Sequence, residues 1–183
     1  MNRRVTVVGG GLAGSEAAWQ LARRGIEVLL LEMRPLRTTP AHTTEMLAEV
    51  VCSNSFGADG AASPAGILKN ELRRLDSLIL SCADESRVPA GKALAVDREI
   101  FSQKVTERLE SLPQVAVRRE ECVSLPEGPV IVATGPLTSP ALAAILQRQA
   151  GTEYLSFFDA VAPVVVADSI DMSVAFRRGR WGQ

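Results

Sequence analysis

The 183 residues carry 20 Lys and Arg against 21 Asp and Glu, a net charge of −1, with 46% hydrophobic and 22% charged residues. This composition fits one globular domain with a buried core and excludes disordered and fibrous chains. No overall basic field announces a nucleic-acid or membrane surface. Aromatics at 4% are too scarce for rows of stacking rings, and the longest apolar runs are far too short to cross a bilayer.

In chain order, Val5, Val7 and Val8 form a β-branched run that stops at glycine, and Leu12 to Arg24 places Ala13, Ala17, Ala18 and Leu21 at helical spacing. Gly25 closes that helix, and Val28 to Leu31 reads as a second buried strand ending at Glu32. The result is a βαβ unit of about 30 residues with Gly9, Gly11 and Gly14 in the G-x-G-x-x-G spacing. Each glycine has its own task. Gly9 permits the turn off the strand, Gly11 lets backbone approach a pyrophosphate, and Gly14 lets the helix pack closely. Gly10 completes the turn, and the N–H groups of Leu12, Ala13 and Gly14 open the helix toward an anion. Glu32 is placed to accept hydrogen bonds from a ribose 2′-OH and to repel a 2′-phosphate, which disfavours NADP in this site.

A long stretch rich in Thr, Ser, Gly and Pro follows Glu32, with at most a short helix expected near Ala48. Ser63 and Pro64 then start a helix whose positions Ile67, Leu68, Leu72, Leu75 and Ile79 are expected to form one inward face. Ala93 to Val96 reads as a short strand, and Asp97 caps a helix with Phe101, Val105 and Leu109 inward. Val115 to Val117, Cys122 to Leu125 and Val164 to Val166 are further strand candidates. Pro129 to Gly135 reads as a buried strand that brings Thr134 and Gly135 to the same crevice, and Ser139 with Pro140 opens another helix. No repeat, linker or internal domain boundary is visible.

The chain has three cysteines, Cys52, Cys82 and Cys122, and one histidine, His42. Without zinc-ligand spacing or a leader-like segment, the thiols are expected to be reduced in a cytoplasmic protein, and no metal is expected. Cys52 lies in a polar loop, where a thiol is open to reaction. Cys82 and Cys122 sit near the ends of apolar segments and read as small core residues. Ser53, Asn54 and Ser55 have the chemistry to line a bound ligand, though polar loop residues more commonly hold a turn. The arginines at 73–74, 118–119 and 177, 178 and 180 fit phosphate contacts or solvated faces equally well.

The segments "GGGLAGSEAAW", "TPAHTTEMLAEVVCSNS", "VPAGKALAVDREIFS", "ATGPLTSPAL" and "DSIDMSVAFRRGRWGQ" together resemble the bacterial folate- and FAD-dependent tRNA (uracil-54-C5)-methyltransferase family from end to end. The resemblance implies a mostly parallel α/β Rossmann-type sheet with helices on both faces. It implies FAD held by the glycine turn, Glu32 and the Ala-Thr-Gly strand. It further implies 5,10-methylenetetrahydrofolate as one-carbon donor, NAD(P)H as reductant and a uridine of the tRNA T loop as acceptor. By the same resemblance Cys52 is an active-site cysteine, one of two that the family uses, and His42 is a flavin- or substrate-lining residue. Family members are more than twice as long, so residues 1–183 are expected to correspond to an N-terminal FAD-binding portion. From the residues alone, a small-molecule flavin or NAD oxidoreductase and a non-catalytic nucleotide-binding fragment stay open.

Overall fold

A computed structural model describes residues 4–151 and 166–175. Strand β1 (Val5–Val8), helix α1 (Leu12–Ala22) and strand β2 (Val28–Glu32) open the chain as expected. With β6 (Val115–Arg119) and β7 (Val130–Val132) the two strands build a parallel four-stranded sheet in the order β6-β2-β1-β7. Val7 lies level with Leu30 on one side and Ile131 on the other.

Side chains alternate across this sheet, and both faces are covered. Val7, Val28 and Leu30 pack with Ala18 of α1, with Leu78, Leu80 and Ala83 of α3 (Leu78–Glu85), and with Phe101, Val105 and Leu109 of α4 (Arg98–Glu110). Val8 and Leu31 point the other way, onto Cys122 and Leu142 of α5 (Pro140–Ala150). Double coverage is why β2 reads as an unbroken apolar run. Each fully buried Leu or Val contributes about 1.5–3 kcal/mol. The fold is therefore α/β and Rossmann-type, with helices on both faces.

Beside it lies a small antiparallel sheet, not foreseen from the sequence, of β3 (Ser55–Ala58), β5 (Ala93–Val96) and β4 (Arg87–Val88) in that order. Of its three strands only β5 has the apolar pattern that marks a strand.

Four expectations are corrected. No helix forms near Ala48, whose φ of +53° is left-handed and whose N–H donates to the Gly10 carbonyl. Cys122 to Leu125 is not a strand. The Pro129–Gly135 strand shortens to the three residues of β7, at the sheet edge, with Ile131 and Val132 exposed rather than buried. Finally, the helix expected to run through Ile79 ends as α2 (Pro64–Arg74), and α3 restarts at Leu78. Polar groups on α1 impose this break. The Asp76 carbonyl accepts from Trp19 Nε1, while the Glu16 carboxylate accepts from the Ser77 hydroxyl and the Ile79 N–H.

The apolar stripe of α2 consequently faces outward, with Leu68 56% and Leu75 64% exposed. Lys69 turns inward instead and donates from Nζ to the Ala58 carbonyl. Leu68→Gln is expected to change unfolding free energy by under about 0.5 kcal/mol, as for an ordinary surface substitution, against about 2 kcal/mol or more for a buried leucine, as a denaturant titration reports. The expected strand at Val164–Val166 lies outside the described residues but for Val166, and Arg177, Arg178 and Arg180 lie outside them entirely. Among the described residues no helix is long and apolar enough to cross a membrane.

Candidate functional site

The carboxyl ends of β1, β2 and β7 meet at an open cleft. The glycine turn forms its floor. Gly9 has φ of +101°, and a Cβ there would sit 2.7 Å from the Ala133 carbonyl oxygen, so the Ala-Thr-Gly segment abuts the turn directly. A Cβ on Gly14 would overlap the Gly9 carbonyl oxygen, because α1 starts pressed against the turn. Gly11 is different, since a Cβ there meets nothing within 4 Å. It N-caps α1 without a side-chain hydrogen bond, and no acidic residue occupies the first turn. By contrast α2, α3, α4 and α5 are each capped by a Ser or Asp side chain. The positive end of α1 thus opens toward solvent beside bare backbone, an arrangement suited to an anion.

Gly10 has a reason of its own. Its N–H donates to Glu32 Oε2 at 2.8 Å, and a Cβ would meet Leu47 Cδ2 at 2.5 Å and Glu32 Oε2 at 2.9 Å. Glu32 is buried at the tip of β2, with Oε1 accepting from both the backbone N–H (3.0 Å) and Nε (2.9 Å) of Arg34. Burial pushes this carboxyl up, but the Arg34 guanidinium and the two backbone N–H groups outweigh it and hold the pKa below its ordinary value.

Arg34 is only 2% exposed and reaches from Glu32 to Glu49 Oε2 at 2.9 Å. Glu49 gathers the N–H and hydroxyl groups of both Thr43 and Thr44, which lowers its pKa against the effect of burial. Leu47 N–H donates to Thr106 Oγ1 and Ala48 N–H to Gly10, so the segment from Thr43 to Glu49 is docked on the turn and on α4. His42 lies at the cleft wall with Nδ1 2.6 Å from Thr39 Oγ1. Burial first, and then the Arg34 charge, push its pKa down, which favours the neutral ring.

Of the residues singled out from the sequence, Gly9, Gly10, Gly11, Glu32, His42 and Thr134 line the cleft together. Leu12, Ala13, Gly14 and Gly135 adjoin it without lining it. Leu12 packs on the core, Gly14 is buried beneath the turn, and Gly135, with φ of +64°, begins a short 3₁₀ turn. Cys52, Ser53 and Asn54 stand apart from the cleft. Cys52 is exposed, the Ser53 hydroxyl accepts from Ser55 N–H, and Asn54 Nδ2 donates to the Val96 carbonyl, tying the loop to the small sheet.

Arg34 and Glu49 were not singled out from the sequence, whereas Cys122 is the buried core residue expected, with one side toward the cleft. The one available signal was an arginine two residues after the acid that ends β2. Among the arginine pairs, Arg73 is held by Asp59 and Asp84, and Arg119 donates to the Glu45 carbonyl. Among the described residues no three His, Cys, Asp or Glu side chains are grouped to hold a metal ion.

A family model described as glucose inhibited division protein A matches residues 4–182. The chain is 61% identical over 182 residues to the methylenetetrahydrofolate–tRNA-(uracil-5-)-methyltransferase TrmFO of Anaeromyxobacter sp. (strain Fw109-5), covering 98% of this chain and 40% of that protein. It is 53% identical over 181 residues to the protein of the same name from Listeria innocua, covering 99% of this chain and 42% of that one. The chain thus spans about two fifths of the length of these relatives. A solved structure, the GidA-related protein from Thermus thermophilus, is 20% identical with a TM-score of 0.41, over 74% of this chain and 54% of that one.

Proposed function

The chain belongs to the glucose inhibited division protein A family, and from that membership we propose that it is an FAD-binding unit of a folate-dependent enzyme that methylates C5 of a uridine in the tRNA T loop. The observation that supports FAD is the Gly11 cradle, open and free of a side-chain cap, beside a buried carboxylate held ionised. Gly11, with the N–H groups of Leu12, Ala13 and Gly14, would hold the diphosphate, while Gly9 and Gly10 shape the turn that bares them. Glu32 would hold the adenosine ribose, and Thr134 lines the wall opposite, with Gly135 behind it. Bound FAD supplies redox and one-carbon chemistry, with 5,10-methylenetetrahydrofolate as carbon donor and NAD(P)H as reductant.

This chain's own candidate for the chemistry is Cys52. Uracil C5 becomes electron-rich when a nucleophile adds at C6, and a thiolate both adds well and leaves again. His42, Ser53 and Asn54 are proposed to line the flavin or the base. Residues 1–183 act as one nucleotide-binding domain, in the cytoplasm.

What supports methyl transfer over small-molecule oxidoreduction is the identity, across nearly all of this chain, to relatives that carry the methyltransferase name. The test is a methyl-transfer assay with 5,10-methylenetetrahydrofolate, NADH and unmodified tRNA. The expected product is 5-methyluridine, absent when cytidine replaces the target and absent in Cys52→Ala. Equal yields from Cys52→Ala and the parent remove Cys52 from the reaction. NADH oxidation that proceeds unchanged without tRNA supports the oxidoreductase instead.

A further inference from the structure

A carboxylate offers about four lone-pair positions, two on each oxygen, and the partners of Glu32 occupy three of them. Oε1 takes two donors from Arg34, its backbone N–H and its Nε, and is filled. Oε2 takes the Gly10 N–H and has one position left, in a side chain that lines the cleft. We infer that Glu32 grips a ribose through Oε2 alone, by one hydroxyl and not by a two-oxygen clasp, and that Arg34, fixed by Glu49, is the positioning residue that imposes this. The inference rests on the nucleotide reading above and says how that site reads its sugar.

Arg34 cannot swing aside to free Oε1. Its guanidinium is buried and bound at Nη1 to Glu49 Oε2 and to the Thr44 carbonyl. Glu49 is held in turn by four donors from Thr43 and Thr44, so a second acceptor position would require the docked segment to move as a whole. Glu49 does not itself line the cleft and reaches it through Arg34, which makes it a probe of how Arg34 is positioned.

The experiment is calorimetric titration of the chain with ADP, 2′-deoxy-ADP and 3′-deoxy-ADP. One deoxy analogue is expected to bind about tenfold weaker or worse, as for a lost hydrogen bond to a charged group, and the other within about twofold of ADP. Equal losses for both analogues, or for neither, overturn the single-hydroxyl grip while leaving the nucleotide site standing. Failure of ADP itself to bind overturns the nucleotide reading and this inference with it. In Glu49→Gln the preference between the analogues is expected to narrow to within about threefold. A full preference in that variant overturns the positioning role of Arg34. Should Glu49→Gln fail to fold, the preference measured on the parent chain still decides the inference.

Discussion

Gly14→Ala is expected to destabilise the protein by about 3 kcal/mol and to abolish nucleotide binding, because the new methyl group has nowhere to go. The atom it meets is the Gly9 carbonyl oxygen, which is backbone and cannot rotate away as a side chain would. The turn can yield only by lifting α1 or by displacing Gly9, itself at φ of +101° and packed on Ala133. The informative companion is Gly11→Ala. Its methyl group enters open space, so thermal unfolding should differ from the parent by less than about 1 kcal/mol, the range of a mild cap change. Yet FAD affinity should fall about a hundredfold, because that space is where the proposed diphosphate would lie against backbone. One substitution harms fold and binding together and the other binding alone. Circular dichroism melts and flavin titration of both variants separate the two effects.

The second large effect is expected at Arg34. Arg34→Met leaves the Glu32 and Glu49 carboxylates buried or half-buried with the cation between them removed, at a cost of about 3–5 kcal/mol at neutral pH. The pH dependence follows from the direction of the shifts. In the parent both carboxyls lie below their ordinary 4.5, so their contribution is fully present above that value and is lost as pH falls through the lower folded values. In Arg34→Met burial opposes ionisation of Glu32 with only backbone donors against it, so its pKa rises. The deficit of the variant should then shrink on acidification from about pH 7 toward 4.5, as protonation relieves the uncompensated charge. Urea titrations across that window measure it, and a deficit independent of pH would show that Glu32 and Arg34 are not electrostatically coupled.

The opening βαβ unit was legible because everything that makes it is local. Val5 to Val8 and Val28 to Leu31 are covered on both faces, and the glycines mark the turn between strand and helix. The caps at Ser63, Asp97 and Ser139 were legible for the same reason, each acting within three residues of itself. What escaped depends on distant partners. The break between α2 and α3 is set by Glu16 and Trp19, about sixty positions earlier in the chain. Without those contacts, Ile67 to Ile79 has the spacing of one amphipathic helix, and spacing alone does not say whether an apolar stripe faces the core. Arg34 and Glu49 escaped because buried charges look the same in sequence as solvated ones. Only the arrangement of Glu32, Thr43 and Thr44 around them shows that they are structural. Gly10 was read as part of the turn, and its second reason, the close approach of Glu32 and Leu47, became visible only with the segment from Thr43 to Glu49 in place.

The turn at Gly9–Gly11 and the carboxylate of Glu32 are proposed to hold the adenosine diphosphate half of FAD. Titration of the purified chain with FAD, followed by flavin fluorescence with ADP as competitor, tests this most directly. One equivalent of FAD is expected to bind, displaced by ADP in simple competition, with affinity lost in Gly11→Ala. Flavin bound equally well with ADP in excess, or undiminished in Gly11→Ala, would place the cofactor elsewhere than the glycine turn.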